Sequence, residues 1–330
     1  MPLKICVYGA GAVGGLIAGR LARAGHEVSV VARGKILTAI REDGLRVVSQ
    51  DAPLVATIKA EENPANLGPQ DYVILTVKAH GVADAAKRIA PLLGPDTSIV
   101  TAQNGVPWWF FDRLAFGGGR ERLESLDPDG ALARAMPTER IVGCVIHLAA
   151  SVPKPGTVQH GKGRRLILGE PGGRNTTRTQ GIADALGKAG FEIQMTNSIE
   201  KEFWVKLLGN VSFNPVSALT LATSDRLIAD ASVRECLVRV MREVLAIGRA
   251  VGVDAAIDPE ARMDMARALG VFRTSMLQDL ESGKALEIDG LLAGTLEIAR
   301  KAGVAAPHTE ALFGLIRARA SMTNQYRPTA

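Results

Sequence analysis

Short apolar runs alternate with segments of helical period along residues 1–196 of this 330-residue chain. Runs rich in β-branched residues indicate buried strands, and they lie at residues 4–8, 26–32, 71–77, 98–102, 141–147 and 165–168. Helical periodicity lies between them, at residues 12–24, 82–93 and 179–189. Strands that alternate with helices are typical of a parallel, doubly wound sheet, so the pattern predicts an α/β domain.

Strand signals disappear after Thr196-Asn197-Ser198, and only helical periodicity follows. The predicted helices span residues 199–221, 225–251, 259–269, 273–281, 290–302 and 309–320. We therefore expect two domains, a doubly wound sheet over residues 1–196 and an all-helical domain over residues 197–330. The helical half would bury more apolar surface in a homodimer, but the sequence leaves the oligomeric state open.

Residues 107–137 fit neither pattern. They are rich in Gly, Arg and Asp, and they begin with Trp108, Trp109, Phe110 and Phe111. We predict an irregular insertion in the first domain, with a short helix near residues 131–135. Long loops of this kind are often functional. The four aromatic residues fit three interpretations equally: a lid over a substrate, a dimer contact, or the core of the loop.

Composition narrows the class of function. The chain has 39 Lys and Arg against 34 Asp and Glu, a formal net charge of +5. These basic residues are dispersed, which disfavours nucleic acid and favours small anions as partners. No uncharged apolar run reaches the length of a membrane span, and the N-terminus has no signal-peptide pattern. We expect a cytoplasmic protein with no membrane partner.

Cysteine and histidine offer little chemistry. Cys6, Cys144 and Cys236 each stand among apolar neighbours, and an odd count argues against a disulfide framework. Reduced thiols fit the cytoplasm. The five histidines have no metal-ligand spacing, so we expect no metal site.

A glycine loop follows the first predicted strand and opens the first predicted helix. It reads Gly9, Ala10, Gly11, Ala12, Val13 and Gly14, which matches G-x-G-x-x-G. Gly9 permits the tight turn, Gly11 lets a pyrophosphate approach the backbone, and Gly14 lets the helix pack on the sheet. The strand–loop–helix context supports the motif, and the helix N-terminus would bind the phosphates. The domain is therefore predicted to be a Rossmann-type dinucleotide-binding domain.

The end of the second predicted strand distinguishes between cofactors. NAD-binding proteins place an acidic residue there for the ribose hydroxyls, but this chain has Arg33, and the first acid that follows is Glu42. A planar guanidinium suits a 2′-phosphate. NADPH is favoured over NADH, and a solvated surface arginine is the alternative.

Two polar residues follow later strands of the same domain. Lys78 comes after the run at residues 71–77, and Asn104 comes after the run at residues 98–102. Ligands bind outside the carboxyl ends of strands in open α/β sheets. Lys78 and Asn104 are therefore candidates for contact with the cofactor.

The first predicted helix of the second domain carries a polar face. Lys206, Asn210 and Asn214 are spaced by four, so they share one side of the helix. Most other positions are strongly apolar, and buried polar groups are costly without partners. Pro215 is expected to break or kink the helix after Asn214. The pattern favours one wall of a polar cleft, and a solvated stripe is the alternative.

Further along, Ser275 could donate a hydrogen bond to a carboxylate, and Glu287 could accept one from a lysine or the cofactor. Read alone, each residue is as well explained as a helix cap or a surface polar group. Ser275 and Glu287 become candidate site residues only in combination with the earlier motifs.

Taken in order, these motifs resemble the ketopantoate reductase (2-dehydropantoate 2-reductase) family. The resemblance covers the whole chain. It rests on the glycine loop, Arg33, Val77-Lys78-Ala79, Asn104-Gly105, the Lys-x-x-x-Asn-x-x-x-Asn-Pro motif that ends at Pro215, and Ser275-Met276-Leu277-Gln278-Asp279 with Glu287 beyond.

The resemblance implies NADPH-dependent reduction of 2-dehydropantoate to (R)-pantoate, on the route to pantothenate. It makes Lys206 the general acid that protonates the carbonyl oxygen, with Glu287 as its catalytic partner. Asn210, Asn214 and Ser275 would bind the substrate. The glycine loop, Arg33, Lys78 and Asn104 would bind the cofactor.

The sequence departs from the family pattern in two places. Val106-Pro107 and the four aromatic residues follow the Asn-Gly pair, and the family's asparagine in the loop after the lysine helix is replaced near Thr223-Ser224-Asp225. The reaction type is unaffected, but another 2-keto or hydroxy acid is an alternative substrate. A non-catalytic NADP(H) sensor is the alternative from another class, and the intact lysine and asparagines argue against it.

Overall fold

The computed structural model describes residues 1–49, 53–119, 121–268 and 270–326. It divides the chain into two compact units, of which the first comprises Met1–Gln103 and Ala131–Ile199. The second comprises Asn104–Gly130 and Glu200–Ala330. Residues 120 and 269, which fall in the predicted insertion and at the end of a predicted helix, lie outside the described residues.

Strands in the described part of the first unit form two sheets. In chain order they are β1 (Lys4–Tyr8), β2 (Glu27–Val31), β3 (Leu45–Val48), β4 (Leu54–Ala56), β5 (Lys59–Glu61), β6 (Gln70–Leu75), β7 (Leu93–Thr101), β8 (Ile141–His147), β9 (Ala150–Lys154), β10 (Thr157–His160), β11 (Arg165–Gly169) and β12 (Glu192–Met195). The larger sheet has the order β12-β11-β8-β7-β6-β1-β2-β5. Its neighbours pair in parallel, except that β11 runs antiparallel to β8.

Six of these strands have the strand order of a dinucleotide-binding sheet. Read from β5 through β2, β1, β6 and β7 to β8, they follow the doubly wound order 3-2-1-4-5-6. The order reverses between β1 and β6, and ligands bind beyond the carboxyl ends of the strands at that point. The structure thus confirms the predicted Rossmann-type sheet and places the glycine loop at its switch point.

The described residues of the first unit form the helices α1 (Ala12–Arg23), α2 (Gly34–Asp43), α3 (Val82–Arg88), α4 (Ala131–Ala135) and α5 (Thr177–Lys188). The smaller sheet, in the order β4-β3-β10-β9, packs on α1. Glycines make the approach possible, because a Cβ at Gly15 would come within 2.7 Å of Val158 and one at Gly19 within 2.7 Å of Val47.

Glu170 binds the start of α5 through its buried carboxylate. It accepts hydrogen bonds from the Thr176 backbone N–H (2.8 Å), the Thr176 hydroxyl (2.7 Å) and the Thr179 hydroxyl (2.6 Å), and it pairs with Arg178. Burial by itself raises the pKa of the Glu170 carboxyl. The hydrogen bonds from Arg178, Thr179 and Thr176 outweigh burial and hold this pKa below its usual value.

Glu170→Gln is expected to lower the free energy of unfolding at pH 7 by roughly 2–3 kcal/mol, because it removes charge-assisted hydrogen bonds from a buried site. A depressed folded-state pKa stabilises the fold above the unfolded pKa of about 4.3, and this stabilisation is lost as pH falls through the folded pKa. The difference from wild type should therefore shrink between pH 7 and about pH 3. Urea denaturation measures it, with exposed Glu192→Gln as control; an undiminished difference at low pH would contradict it.

The second unit is helical in its described residues after Gly130. Its helices are α6 (Ile199–Thr220), α7 (Ser224–Ala229), α8 (Ala231–Ala250), α9 (Pro259–Ala268), α10 (Ser275–Glu281), α11 (Gly294–Lys301) and α12 (Pro307–Met322), with a π-helical turn at Asp289–Ala293. The fold class predicted from the sequence is confirmed. No helix among the described residues has the length and apolar character that crossing a membrane requires.

Two predicted helices differ in detail. The segment predicted as one helix over residues 225–251 is divided at Asp230, whose carboxylate accepts hydrogen bonds from the backbone N–H groups of Ser232 (3.0 Å) and Val233 (2.9 Å) and caps α8. Pro215 does not break the helix, because α6 continues to Thr220. The final turns of α6 are buried, and tertiary packing supplies most helix stability.

The segment Asn104–Gly130 packs with the helices, although the sequence placed it within the first domain. Trp109 meets Phe203 of α6 at 5.4 Å between ring centroids, and Phe110 meets Trp204 at 5.5 Å. Glu297 of α11 accepts backbone hydrogen bonds from residues 124 and 125, both at 2.8 Å. The aromatic residues are buried, so the structure supports the loop-core interpretation. The short helix α4 returns to the first unit.

Candidate functional site

Two of the three glycines in the turn after β1 have no room for a side chain, and the third faces open space. Gly9 has a φ of +109°, and a Cβ there would lie 2.9 Å from Val77. A Cβ at Gly14 would lie 2.0 Å from the Gly9 carbonyl oxygen and 2.3 Å from the Thr76 hydroxyl. A Cβ at Gly11 would meet nothing within 4 Å. The open space above Gly11 is where a pyrophosphate must approach the backbone, so the loop fits a dinucleotide.

Thr76 connects this turn to the neighbouring strand. Its hydroxyl donates to the Gly9 carbonyl oxygen at 2.7 Å, and its backbone N–H donates to the Tyr8 carbonyl oxygen at 3.0 Å. No side chain caps the N-terminus of α1 at Gly11. Ala12, Val13 and Gly14 form the first turn of α1, whose N–H groups and dipole suit an anion.

A cavity of about 230 Å³ opens beside the turn. Gly9, Ala10 and Gly11 line it together with the end of β2 and Arg33. The same unit therefore supplies the glycine turn and a cation to the lining of one cavity. This arrangement can hold the adenosine half of a dinucleotide.

Arg33 shares a carboxylate with a second arginine of the cavity. Arg33 Nη1 lies 3.3 Å from Asp84 Oδ2, and Arg88 Nη1 lies 3.9 Å from the same oxygen. Arg88 also donates to the Glu62 carbonyl oxygen at 2.7 Å. Exposed pairs of this kind are weak, so an arriving phosphate can compete with Asp84.

Tyr8 and Arg88 are cavity residues that the sequence did not identify. Tyr8 is 3% exposed, and its hydroxyl has no hydrogen-bond partner among the described residues. Burial raises the pKa of this hydroxyl, and the positive charge of Arg88 lowers it in part. The position of Tyr8 directly before Gly9 could have identified it. Arg88 lies ten residues beyond Lys78 in α3, where no motif marks it.

The segment after β6 begins at the same sheet edge as the segment after β7, because Leu75 pairs with Thr101. Lys78 precedes a 3₁₀ turn at Ala79–Gly81. Gln103 donates to the Val77 carbonyl oxygen at 2.6 Å and links the two segments. Lys78 thus lies beyond the carboxyl ends of the strands, as the sequence predicted for a cofactor contact.

Within the second unit, Asn104 and Glu287 lie on either side of a close backbone contact. Gly105 has a φ of +89°, and a Cβ there would be 2.3 Å from the Gly290 carbonyl oxygen. The Val106 N–H donates to the same oxygen at 3.0 Å. Because Asn104 directly precedes Gly105 and Glu287 lies three residues before Gly290, the contact brings the two segments together. The π-helical turn that follows is a type often found at functional sites.

The polar face of α6 is present as the spacing requires. Lys206 and Asn210 are partly buried, and Asn214 is 5% exposed. The side chain of Asn214 makes no hydrogen bond to another described residue. A buried amide without a partner costs free energy unless a ligand supplies one, so this face fits a binding site better than a solvated stripe.

Ser275 is the first residue of α10, and Thr274 caps that helix by accepting from the Leu277 N–H at 3.2 Å. The preceding Phe272 packs on Phe213 of α6 at 6.3 Å between centroids, directly before Asn214. Ser224 supports this segment, because its hydroxyl accepts from the Phe272 N–H at 2.9 Å and donates to the Gly270 carbonyl oxygen at 3.1 Å. The Ser275 segment is thus fixed against the end of α6.

Comparisons with known proteins agree with this architecture. The sequence profile of the family described as ketopantoate reductase PanE/ApbA matches residues 5–173, and that of its C-terminal domain matches residues 198–320. The chain belongs to the ketopantoate reductase family. It is therefore a pyridine-nucleotide-dependent oxidoreductase, as the resemblance implied.

Relatives of this ketopantoate reductase family member cover nearly its full length. A 2-dehydropantoate 2-reductase of Mesorhizobium japonicum is 42% identical over 96% of this chain and 97% of its own. A crystal structure of a Ralstonia solanacearum protein assigned to the ketopantoate reductases has a TM-score of 0.95 and 44% identity, and covers 99% of this chain and 100% of its own.

The ternary structure of D-mandelate dehydrogenase with NADH and anilino(oxo)acetate has a TM-score of 0.84 at 20% identity, over 98% of this chain and 99% of its own. That likeness concerns the fold alone. Within the described ranges, no group of three or more His, Cys, Asp and Glu side chains is placed to hold a metal ion.

Proposed function

We propose that this protein uses NADPH to reduce a 2-keto acid, and that the substrate is 2-dehydropantoate, which becomes (R)-pantoate. The observation that carries the proposal is the polar face of α6, where Lys206, Asn210 and a buried, unpartnered Asn214 are aligned. The name of the Mesorhizobium relative supports the choice of substrate. We place the reaction in cytoplasmic pantothenate biosynthesis. We propose that the protein acts as a homodimer.

The residues around the cavity fit NADPH. The turn at Gly9, Gly11 and Gly14 would hold the pyrophosphate, and Arg33 would bind the 2′-phosphate through its planar donor fork. Lys78 and Asn104 would orient the nicotinamide half. When bound, the cofactor supplies the hydride that is added to the keto carbon.

Lys206 acts on the oxygen of the same carbonyl. Hydride addition to a ketone develops negative charge on that oxygen, and a positioned ammonium neutralises the charge and donates a proton. Asn210, Asn214 and Ser275 bind the substrate's hydroxyl and carboxylate groups. Glu287 orders Lys206.

Steady-state oxidation of NADPH, followed by its absorbance, tests the proposal with 2-dehydropantoate beside bulkier 2-keto acids. We expect kcat/KM for 2-dehydropantoate of about 10⁴ M⁻¹s⁻¹ or more, within the ordinary enzyme range. NADH in place of NADPH should give a lower kcat/KM, because Arg33 then lacks the phosphate. Arg33→Gln should reduce that difference between cofactors.

Three results would each overturn a different part of the proposed function. Turnover of a bulkier 2-keto acid only would reject 2-dehydropantoate and retain the reaction type. Equal kcat/KM with both cofactors would reject the role of Arg33. Tight NADPH binding without reduction of any 2-keto acid would favour the non-catalytic sensor.

A further inference from the structure

A second cation lies against the polar helix of the second unit. Arg262 belongs to α9, and its guanidinium packs on the backbone of α6 at Gly209. A Cβ at Gly209 would lie 3.0 Å from Arg262 Nη2 and 3.8 Å from both Cζ and Nε. The guanidinium thus packs directly on the backbone surface of α6 at Gly209.

The charge of Arg262 has no counterpart in the described part of the chain. Its guanidinium makes no hydrogen bond there, and no described carboxylate oxygen lies within the 4.0 Å of an ion pair. Burial lowers the pKa of Arg262, but a guanidinium stays protonated in proteins. Taking a cation out of water without giving it a partner is costly. A bound anion would offset that cost.

Gly209 supports the same conclusion. Glycine inside a helix is less favourable than alanine, and Gly209 does not have the positive φ that would require it. What its missing side chain provides is room, because a methyl group would press on Arg262. Glycine therefore weakens the helix at this position, and the Arg262 guanidinium occupies the space that the missing side chain leaves.

The position of Gly209 connects Arg262 with the proposed chemistry. Gly209 lies three residues after Lys206 and directly before Asn210. Residues three and four apart are neighbours on a helix surface. The Arg262 guanidinium therefore lies next to the Lys206 side of this polar face.

We propose that Arg262 binds the carboxylate of the 2-keto acid in addition to the asparagine and serine groups assigned above, as a bidentate partner beside the carbonyl that Lys206 protonates. A planar guanidinium fork matches the two oxygens of a carboxylate. This inference rests on the proposed function, because it names the residue that selects a keto acid over a neutral ketone or aldehyde.

Kinetics with two substrates tests the assignment: the 2-keto acid that wild type reduces and the methyl ester of that acid. For Arg262→Gln we expect kcat/KM for the acid to fall roughly 100-fold, chiefly through KM, because a desolvated charge pair loses one member. The ester, which has no carboxylate, should change less than threefold. Arg262→Lys, which keeps the charge without the fork, should lie between wild type and Arg262→Gln.

Gly209→Ala is expected to displace the Arg262 guanidinium without removing it, so it tests whether the position of this group matters. Its fold should be as stable as wild type or more so, since alanine favours the helix, whereas KM for the acid should rise at least tenfold and KM for the ester should not. The control is Arg267→Gln on the same helix, whose guanidinium forms an exposed pair with Asp264 at 2.7 Å; its kinetics should match wild type. Circular dichroism verifies folding for each variant.

The outcomes separate the inference from the proposed function. Wild-type turnover of a 2-keto acid combined with an unchanged KM in Arg262→Gln would overturn the role of Arg262 and leave the proposed function in place. Wild type that reduces no 2-keto acid would overturn the proposed function. Calorimetry with oxamate then decides on Arg262: binding weakened tenfold or more in Arg262→Gln supports the carboxylate site, and equal binding rejects it.

Discussion

Lys206→Ala is expected to lower kcat for 2-keto acid reduction by about 10²–10⁴-fold, the range that a positioned general acid contributes. The reason is local. Lys206 stands on a helix whose neighbouring side chains, Phe203, Trp204, Leu207 and Leu208, are apolar and buried, so none of these side chains can donate a proton in its place. Stopped-flow or steady-state measurement of NADPH oxidation at saturating substrate gives the ratio directly.

Two variants and one binding measurement make this result specific. Lys206→Arg keeps the charge but donates a proton poorly, because a guanidinium has a much higher pKa than an ammonium; it should also fall at least tenfold. Lys201→Ala, a lysine one turn earlier in α6, should retain wild-type kcat. The dissociation constant for NADPH should change little in all three. A Lys206→Ala enzyme with kcat within threefold of wild type would remove Lys206 from the proton transfer.

Trp109→Ala is expected to lower the free energy of unfolding by about 3–5 kcal/mol, the cost of truncating a large buried aromatic side chain. Trp109 is fully buried and meets Phe203 edge to face, so the substitution would leave a cavity between residues 104–130 and α6. Urea denaturation followed by circular dichroism measures the loss.

Comparison of Trp109→Ala with milder variants shows whether the aromatic segment is part of the core or a lid over the substrate. The indole N–H of Trp109 has no acceptor among the described residues, so Trp109→Phe loses volume but also removes an unsatisfied polar group. Its cost should be well below that of the alanine variant. Phe116→Ala, at a half-buried aromatic residue of the same segment, should also cost less. If Trp109→Ala instead left stability unchanged and raised KM for substrate, the segment would be a lid.

The sequence by itself determined the parts of the molecule whose signals are local. The strands that became β1, β2, β6 and β8 are short apolar runs whose burial follows from their composition. The glycine loop could be interpreted because its spacing and its place between a strand and a helix are both local signals. Likewise, the alignment of Lys206, Asn210 and Asn214 follows from helical geometry alone, since a spacing of four puts side chains on one face.

Other features depended on partners that are distant in sequence. The small sheet escaped prediction because β3 and β10 are four residues each and are stabilised by packing on α1. The aromatic residues 108–111 fitted three interpretations until Phe203 and Trp204 were found against them. Pro215 remains inside α6 because burial of the surrounding turns outweighs one lost backbone hydrogen bond.

The arginines of the molecule show the same difference between what local sequence predicts and what tertiary packing decides. Arg33 was predicted as a ligand because it stands at a strand end, a position that sequence can identify. Arg88 and Arg262 lie in ordinary helical segments, and only the tertiary structure brings one to the cavity wall and the other to the backbone of α6. Periodicity specifies which residues share a face, but the partner of that face is decided by long-range packing.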